Sequence, residues 1–206
     1  MKKIDIKKQM TALYGTTLKQ GMVIVDVPKM NYLMVDGDGN PNTSQAFANA
    51  VEALYSLSYP LKFMVKKGPL AIDYGVMPLE ALWWTDDMNN FSSTDKDSWK
   101  WTAMISQPEW ITSEMVEIAR TATAKKKDLP ALKQVRFEAL EEGPAAQCLY
   151  IGPYAGEPPT ITALHEFIAD NGCDRRGKHH EIYLNDMRRT KPANLRTIIR
   201  QPMASR

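Results

Sequence analysis

The sequence predicts an α+β fold made of two like halves, and three observations carry that expectation. First, runs of β-branched and aromatic residues alternate with three segments of helical apolar spacing. Second, the turn Gly39-Asn40-Pro41 recurs as Gly156-Glu157-Pro158, and at the same offset Phe47 falls on Leu164 and Val51 on Ile168. Third, a glutamate-bearing strand follows the first and the last helix, at a shorter offset that sets Glu80 on Glu181 and Leu82 on Tyr183. Each half thus reads strand, Gly-x-Pro turn, helix, glutamate strand and return strand. Two such β-α-β-β modules packed about a pseudo-twofold axis leave a groove between them, with the two glutamate strands facing each other across it.

Residues 1–20 read as a polar arm carrying Lys2, Lys3, Lys7, Lys8 and Lys19. The domain then occupies 21–206, with a first module over about 21–111 and a second over about 112–206. Met22 to Pro28 is β-branched and ends at proline, which suits a strand or an extended edge. Met30 to Val35 is a second strand, and Asp36 to Pro41 a glycine-rich turn. Asp36, Asp38 and Asn40 fit the first ligand positions of a calcium loop. Pro41 stands where that loop needs glycine and Phe47 where it needs a bidentate glutamate, so calcium is not expected. Asn42-Thr43-Ser44 supplies capping oxygens for a helix over 44–58, lined by Phe47, Ala50, Val51, Leu54 and Leu57 and stopped by Pro60. Ala71 to Val76 is a short strand, the Glu80 run a second, 86–97 a polar loop, and Trp99 to Gln107 the return strand of a hairpin.

Thr112 caps the next helix. Glu114 in its first turn and Lys125-Lys126-Lys127 at its end match the helix dipole, and Met115, Ile118, Ala119 and Ala122 form its apolar stripe. Val135 to Leu140 and Ala145 to Ile151 are strands on either side of Glu142-Gly143-Pro144. Gly152 to Thr160 is a turn opening a third helix, lined by Ile161, Leu164 and Ile168 and ended by Gly172. The Glu181 strand and Leu195 to Gln201 close the chain as a hairpin.

With 206 residues, 44% of them apolar, and a formal net charge of +2, the chain can bury a core as one or two domains and is no nucleic-acid polycation. The stretch from Asp174 to Arg206 has a Lys/Arg excess, read either as a solvated surface or as an anion or nucleic-acid patch. No apolar run reaches the ~20 residues of a membrane helix and no signal peptide opens the chain, so a cytoplasmic protein is expected. Cys148 and Cys173 lack CxxC spacing and read as ordinary thiols. His179 and His180 are adjacent, so a strand would send them to opposite faces; neither a metal site nor a cofactor is expected. No P-loop, dinucleotide turn or Gly-x-Ser-x-Gly elbow appears.

The candidate site starts from Pro78-Leu79-Glu80-Ala81-Leu82-Trp83-Trp84. As a strand it puts Glu80, Leu82 and Trp84 on one face, a carboxylate beside a large ring. His180 to Leu184 repeats the form, with Glu181 and Tyr183 together. A carboxylate among rings is a stronger base, or a partner for a cationic guest. Plainer roles stand beside these. Glu80 could pair with a lysine on a neighbouring strand, Glu181 could be an exposed strand residue, and Glu157 could serve a helix N-terminus. Trp83, Ile182 and Leu184 read as core; Trp99, Trp101 and Tyr150 suit the core or the groove equally.

Asn31 to Gly37, Gly39-Asn40-Pro41, Pro78 to Trp84, Gln107-Pro108-Glu109-Trp110, Gly152-Pro153-Tyr154 with Glu157-Pro158 and Thr160, and His180 to Leu184 together resemble the stand-alone GyrI-like small-molecule-binding proteins, over about residues 4 to 203. The resemblance implies duplicated SHS2-type β-α-β-β modules with a ligand groove. That family includes drug-sensing domains of transcription activators, a gyrase-inhibitory protein, and stand-alone members that hydrolyse cyclopropanoid genotoxins. By position, Glu181 matches the groove glutamate and Tyr183 the aromatic beside it. Tyr154 and Glu157 match the turn bordering the groove, and Glu80 and Trp84 the first-half strand. Ala81 stands where members often have glycine and Ser106 where arginine is common, which puts an anion role there in doubt. The resemblance therefore implies catalysis by Glu181, Glu157 and Tyr154. Ligand binding would fall to Glu80, Trp84, Trp101, Trp110, Tyr150 and Tyr183, without metal or cofactor. The expected partner is a hydrophobic aromatic small molecule, with no direct nucleic-acid or membrane contact. The expected function is hydrolysis of cyclopropanoid DNA alkylators. Its alternative is a non-catalytic sink or sensor of cationic drugs, and a gyrase-inhibitory role stands behind both. No DNA-binding helix pair precedes the domain, so a transcription factor is not expected.

Overall fold

The computed structural model describes residues 1–88 and 96–206, so part of the loop expected over 86–97, namely 89–95, lies outside the described residues. Among the described residues the fold is α+β. A nine-stranded sheet runs in the order β2 (Val23–Val27), β8 (Gly143–Ile151), β11 (Arg196–Ser205), β10 (His179–Tyr183), β5 (Leu79–Trp84), β6 (Lys100–Gln107), β3 (Met30–Asp38), β7 (Arg136–Leu140), with β9 (Cys173–Arg175) added to β11. Its ladders are antiparallel. The trio β8-β11-β10 meets the trio β5-β6-β3 through a single ladder, β10 on β5. The flanking strands cross over: β2 pairs with β8, and β7 with β3.

Three helices of useful length follow the expected periodicities, with informative departures. α3 spans Gln45–Lys67 with the Ser44 hydroxyl accepting from the Phe47 amide, and it buries Ala50, Ala53, Leu54, Leu57, Leu61 and Val65. Pro60 does not stop it. A proline inside a helix leaves the carbonyl four residues back without its amide. Here that carbonyl, on Ser56, accepts from the Thr123 hydroxyl at 3.3 Å. Leu61 and Val65, fully buried beyond the proline, keep the last turns in place at about 1.5–3 kcal/mol each. α4 spans Ser113–Ala124 with Thr112 as cap, but it buries Val116, Ala119 and Thr123 while Ile118 is exposed. The apolar stripe is therefore rotated from the Met115–Ile118–Ala122 expectation. The cause is packing against α3, which selects the face that carries Thr123. α5 spans Pro158–Asp170 and buries Leu164 and Ile168, as its spacing predicts.

Two further expectations change. β3 continues through Asp36 and Gly37 to Asp38, because Asp36, Gly37 and Asp38 all pair with β6. Gly37 lies opposite Trp101, whose ring occupies the space a Cβ would need. The strand expected over 71–76 shrinks to β4 (Ile72–Tyr74) and pairs in parallel with β1 (Lys2–Ile4), apart from the main sheet. The first twenty residues are therefore not a loose arm. After β1 come α1 (Ile6–Gln9) and α2 (Thr11–Tyr14), which bury Ile6, Leu13 and Tyr14.

Opposed residues in a ladder share a face. Ala81 and Trp83 of β5 therefore lie with His179, Glu181 and Tyr183 of β10, Thr197 and Ile199 of β11, and Trp101 of β6. α3 sits on this face, since Phe47 packs on both Trp83 and Trp101. So does α5, whose Leu164 and Ile168 join Cys148 and Ile199. The opposite face carries Glu80, Leu82, Trp84, His180 and Arg200, and α2 lies across its second half.

Candidate functional site

Between α3 and α5, the helix-bearing face presents a set of buried polar groups around Glu181. The alternation of β10 aims His179, Glu181 and Tyr183 the same way. The Tyr183 hydroxyl donates to Glu181 Oε2 at 2.7 Å, and His179 Nε2 donates to Oε1 at 3.2 Å. The Trp83 indole N–H in turn donates to the Tyr183 oxygen at 3.2 Å. Each donor thus points toward one carboxylate, which is only 6% exposed. Burial works to raise the Glu181 pKa, but the His179 and Tyr183 bonds outweigh it and hold the carboxyl below its ordinary value, so Glu181 is not the strengthened base that its ring-lined setting led one to expect.

Glu157 approaches from the other side. The turn before α5 carries Tyr154 and ends on Glu157, whose carbonyl accepts the Ile161 amide as the helix begins. Tyr150 holds the turn, donating from its hydroxyl to the Pro153 carbonyl at 2.9 Å. Gly152 and Gly156 leave room for that ring, since a Cβ at either would meet it. Glu157 is 3% exposed, and its Oε1 and the nearby Thr197 Oγ1 both lack a full hydrogen bond. The Thr197 hydroxyl is close enough to favour the ionised acid slightly, yet burial first and the Glu181 charge second push Glu157 up to about 9. At neutral pH one carboxyl is ionised and its neighbour protonated, the division that lets one site hold a base and an acid.

Aromatic rings frame the pair. Tyr154 meets Tyr183 edge to face, centroids 5.6 Å apart, and both are half-buried. Trp83 packs against Phe47 at 5.5 Å and Trp99 at 5.2 Å. Lys96 holds its ammonium 5.2 Å from the Trp99 ring centre, and its charge favours the ionised form of both glutamates. Burial and the neighbouring carboxylates push the Tyr154 and Tyr183 hydroxyls upward, so both remain donors at neutral pH.

The structure brings Glu181, Glu157, Tyr154, Tyr183 and Tyr150 together and separates the remaining candidates. Glu80 and Trp84 lie on the opposite face, because Glu80 pairs with Ile182 rather than Glu181. Glu80 is fully buried, accepting from the Tyr14 hydroxyl at 2.8 Å and meeting His180 Nε2 at 3.0 Å; its partner is a histidine, not a lysine. Trp84 packs under the Lys178 ammonium, 3.2 Å from the ring centre. The two glutamate strands adjoin edge to edge instead of facing across a gap. Trp101 is buried under Phe47 as core, and Trp110 packs on Tyr74, 6.0 Å away. Trp83, read as core, is buried and also bonded into the site. His179, Thr197 and Lys96 were not singled out as site residues. His179 could have been found, since it shares parity with Glu181 and Tyr183; Lys96 carries no local signal.

A hollow of about 370 Å³ lies elsewhere, between α3 and α4, lined by Tyr55, Tyr59, Thr123 and Lys127 among others and holding none of these acids. Among the described residues no group of three or more His, Cys, Asp or Glu side chains could hold a metal ion, and no helix is long and apolar enough to cross a membrane.

A family model for the GyrI-like small molecule binding domain matches residues 22–203. Among solved structures, an uncharacterized conserved protein from Listeria innocua is 36% identical with a TM-score of 0.88, covering 98% of this chain and 100% of that one. A second structure from the same organism, described as a hydrolase, is 35% identical with a TM-score of 0.87 and the same coverage of 98% and 100%. The EcmrR C-terminal domain shares the fold alone, at 12% identity and a TM-score of 0.55 over 90% of this chain and 98% of that one. No match was found among curated proteins.

Proposed function

The chain belongs to the GyrI-like small molecule binding domain family, and from that premise we propose that it hydrolyses cyclopropanoid DNA alkylators in the groove between α3 and α5. The observation that carries this is the buried Glu181 carboxylate held by the Tyr183 hydroxyl at 2.7 Å and His179 Nε2 at 3.2 Å, with the buried Glu157 carboxyl near enough for the Glu181 charge to push it toward its protonated form. A planar guest would lie against the joined edges of Tyr154 and Tyr183, which pack on each other 5.6 Å apart, each ring contributing about 0.5–1.5 kcal/mol beyond area burial. Its strained three-membered ring is conjugated to a carbonyl. Glu181 takes a proton from water as the water oxygen bonds to a ring methylene. The ring C–C bond breaks, and its electron pair passes through the conjugated system to the carbonyl oxygen. Glu157 delivers its proton to that oxygen, with the Tyr154 hydroxyl as a further donor. The sum is one water added and a phenol formed. Exchange with solvent returns the proton from Glu181 to Glu157. The strain of the substrate keeps the demand modest, and a base and a donor worth roughly 10²–10³-fold each would suffice.

The duplicated-module reading belongs to the same proposal, supported by the trios β8-β11-β10 and β5-β6-β3 meeting edge to edge. The hydrolase description of the Listeria structure supports the reaction class. Capture of a cation is the weaker reading, because protonation of Glu157 leaves one carboxylate instead of two, and that one already accepts two hydrogen bonds.

The test is incubation of a spiro-cyclopropyl dienone alkylator with the protein, followed by mass analysis. Wild type is expected to add one water per ligand over many turnovers, and Glu181→Gln to lose at least about 100-fold in rate with its melting temperature nearly kept. Ligand recovered unchanged after denaturing the wild type would leave a sink, not an enzyme. Full activity in the variant would remove Glu181 as base.

A further inference from the structure

We infer that Lys96 is the selectivity residue of the groove: its ammonium, held against Trp99 at the end of the aromatic run that leads to Glu181, turns away lipophilic cations and leaves the site to neutral aromatic electrophiles. The inference rests on the groove being a ligand site, as proposed above.

A lipophilic cation is held by ring faces and by uncompensated carboxylate. Both are spoken for here. Trp99, whose ring Lys96 approaches to 5.2 Å, packs on Trp83 at 5.2 Å, and Trp83 is bonded to the tyrosine that holds Glu181. The resident ammonium therefore stands at the end of a short aromatic run that leads to the base. Its charge reaches both acids, favouring the ionised form of each. The Glu181 charge pushes Glu157 toward its protonated form, so Glu181 is the carboxylate a cation would meet, and the Lys96 charge already acts on it. Asp186, whose charge reaches Tyr154, is paired with Arg188 at 2.9 Å. A cationic guest would gain no net attraction and would meet a like charge in a partly desolvated site. A neutral guest loses nothing, and an oxygen that gains negative charge during ring opening is favoured by the same ammonium. Lys96 is half-buried, so its charge is screened less than that of a surface lysine.

Two probes of similar shape separate charge from fit: tetraphenylphosphonium and neutral triphenylphosphine oxide, each titrated by calorimetry into wild type, Lys96→Met, Lys96→Arg and Lys96→Met/Glu181→Gln. Thermal melts confirm folding of each. The expected result is that Lys96→Met binds the phosphonium at least about tenfold more tightly than wild type, while the neutral probe changes less than twofold. Lys96→Arg should match wild type, and the double variant should lose the gain. An equal gain for both probes would mean that removing the side chain merely opens space, and it would overturn the inference, as would no gain for the cation. In those cases, binding of the neutral probe by wild type and its competition with the alkylator would leave the groove reading standing. Failure of every probe and of the alkylator to bind any variant would overturn both.

Discussion

At Glu157 the structure carries a cost that can be measured. Its carboxyl titrates at about 9 when folded, against an ordinary value near 4.5, because burial and the Glu181 charge disfavour ionisation. The unfolded chain releases that proton from about pH 4.5 upward while the folded chain keeps it to about 9. The stabilising effect of the neutral acid is therefore complete below about 4.5 and is lost as pH rises through about 9. Glutamine has the shape of the protonated acid and no charge to bury. Glu157→Gln should thus raise stability at pH 8 by roughly 1–3 kcal/mol, about 2–4 °C in Tm per kcal/mol, and change little at pH 4. Melting curves at the two pH values decide it; an equal shift at both would remove the titration as its cause. The same variant should lose the alkaline fall in turnover that ionisation of Glu157 gives the wild type, at a lower rate throughout. The resemblance offered Glu181, Glu157, Tyr154 and Tyr183 as candidates, with Tyr150 open between core and groove, and the structure brings these five together, but sequence could not exclude Glu80 or Trp84. Alternation tells which residues of one strand share a face. Which face two strands have in common depends on their register, and a one-residue difference in register moves Glu80 from beside Glu181 to the other side of the sheet.

The elements were legible where a local pattern governs them and misread where a partner does. Ser44 caps α3 and Thr112 caps α4 through their own hydroxyls, signals complete within four residues. The length of α3 is different. Pro60 is a stop signal by itself, and only α4, more than fifty residues on, supplies the Thr123 hydroxyl that takes up the orphaned Ser56 carbonyl. The same contact fixes which side of α4 is buried, which is why Thr123 faces inward and Ile118 outward. This pairing is open to a double-mutant cycle. Thr123→Val alone should cost about 0.5–1.5 kcal/mol, since it leaves a helix carbonyl without a donor. In a Pro60→Ala background the restored amide can serve Ser56, so the same substitution should cost markedly less. Denaturant unfolding of the four proteins measures the coupling. A cost for Thr123→Val that is independent of residue 60 would show that the hydroxyl does something else.

Across the whole molecule, the two trios of strands meet through one ladder, and beneath it lies a buried line of ionisable groups on the face opposite Glu181. Glu80 meets His180 Nε2 at 3.0 Å, His180 Nδ1 meets Glu142 at 3.0 Å, and Arg200 donates to Glu142 at 3.1 Å. From the N-terminal segment, Tyr14 donates to Glu80, and the Leu13 carbonyl accepts from Arg200 at 3.0 Å. Strands from both trios and the N-terminal segment are thus joined by one network, on the reverse of the strands that carry Trp83 and Glu181. Such a network adds little net stability when complete and costs several kcal/mol when one member is removed; its use is to make one register better than its neighbours. Its signature is acid sensitivity. Burial alone would raise the Glu142 carboxyl, but His180 and Arg200 hold it down at about 2. For a depressed acid the stabilisation is present above about pH 4.5 and disappears as pH falls toward about 2. His180 is raised above 6.5 by the same carboxylates against the opposing effect of burial, so its contribution is complete below that value and declines at higher pH. Glu142→Gln should therefore unfold about 3–5 kcal/mol more easily at pH 6 and lose much of the wild type's stability drop between pH 4.5 and 2. Amide exchange at residues 12–16 should rise with it, since the network is what ties α2 to the sheet. A variant that keeps both the wild-type acid slope and the protection of those amides would show that packing of Leu13 and Tyr14, not the charged line, holds the N-terminal segment and the two trios in register.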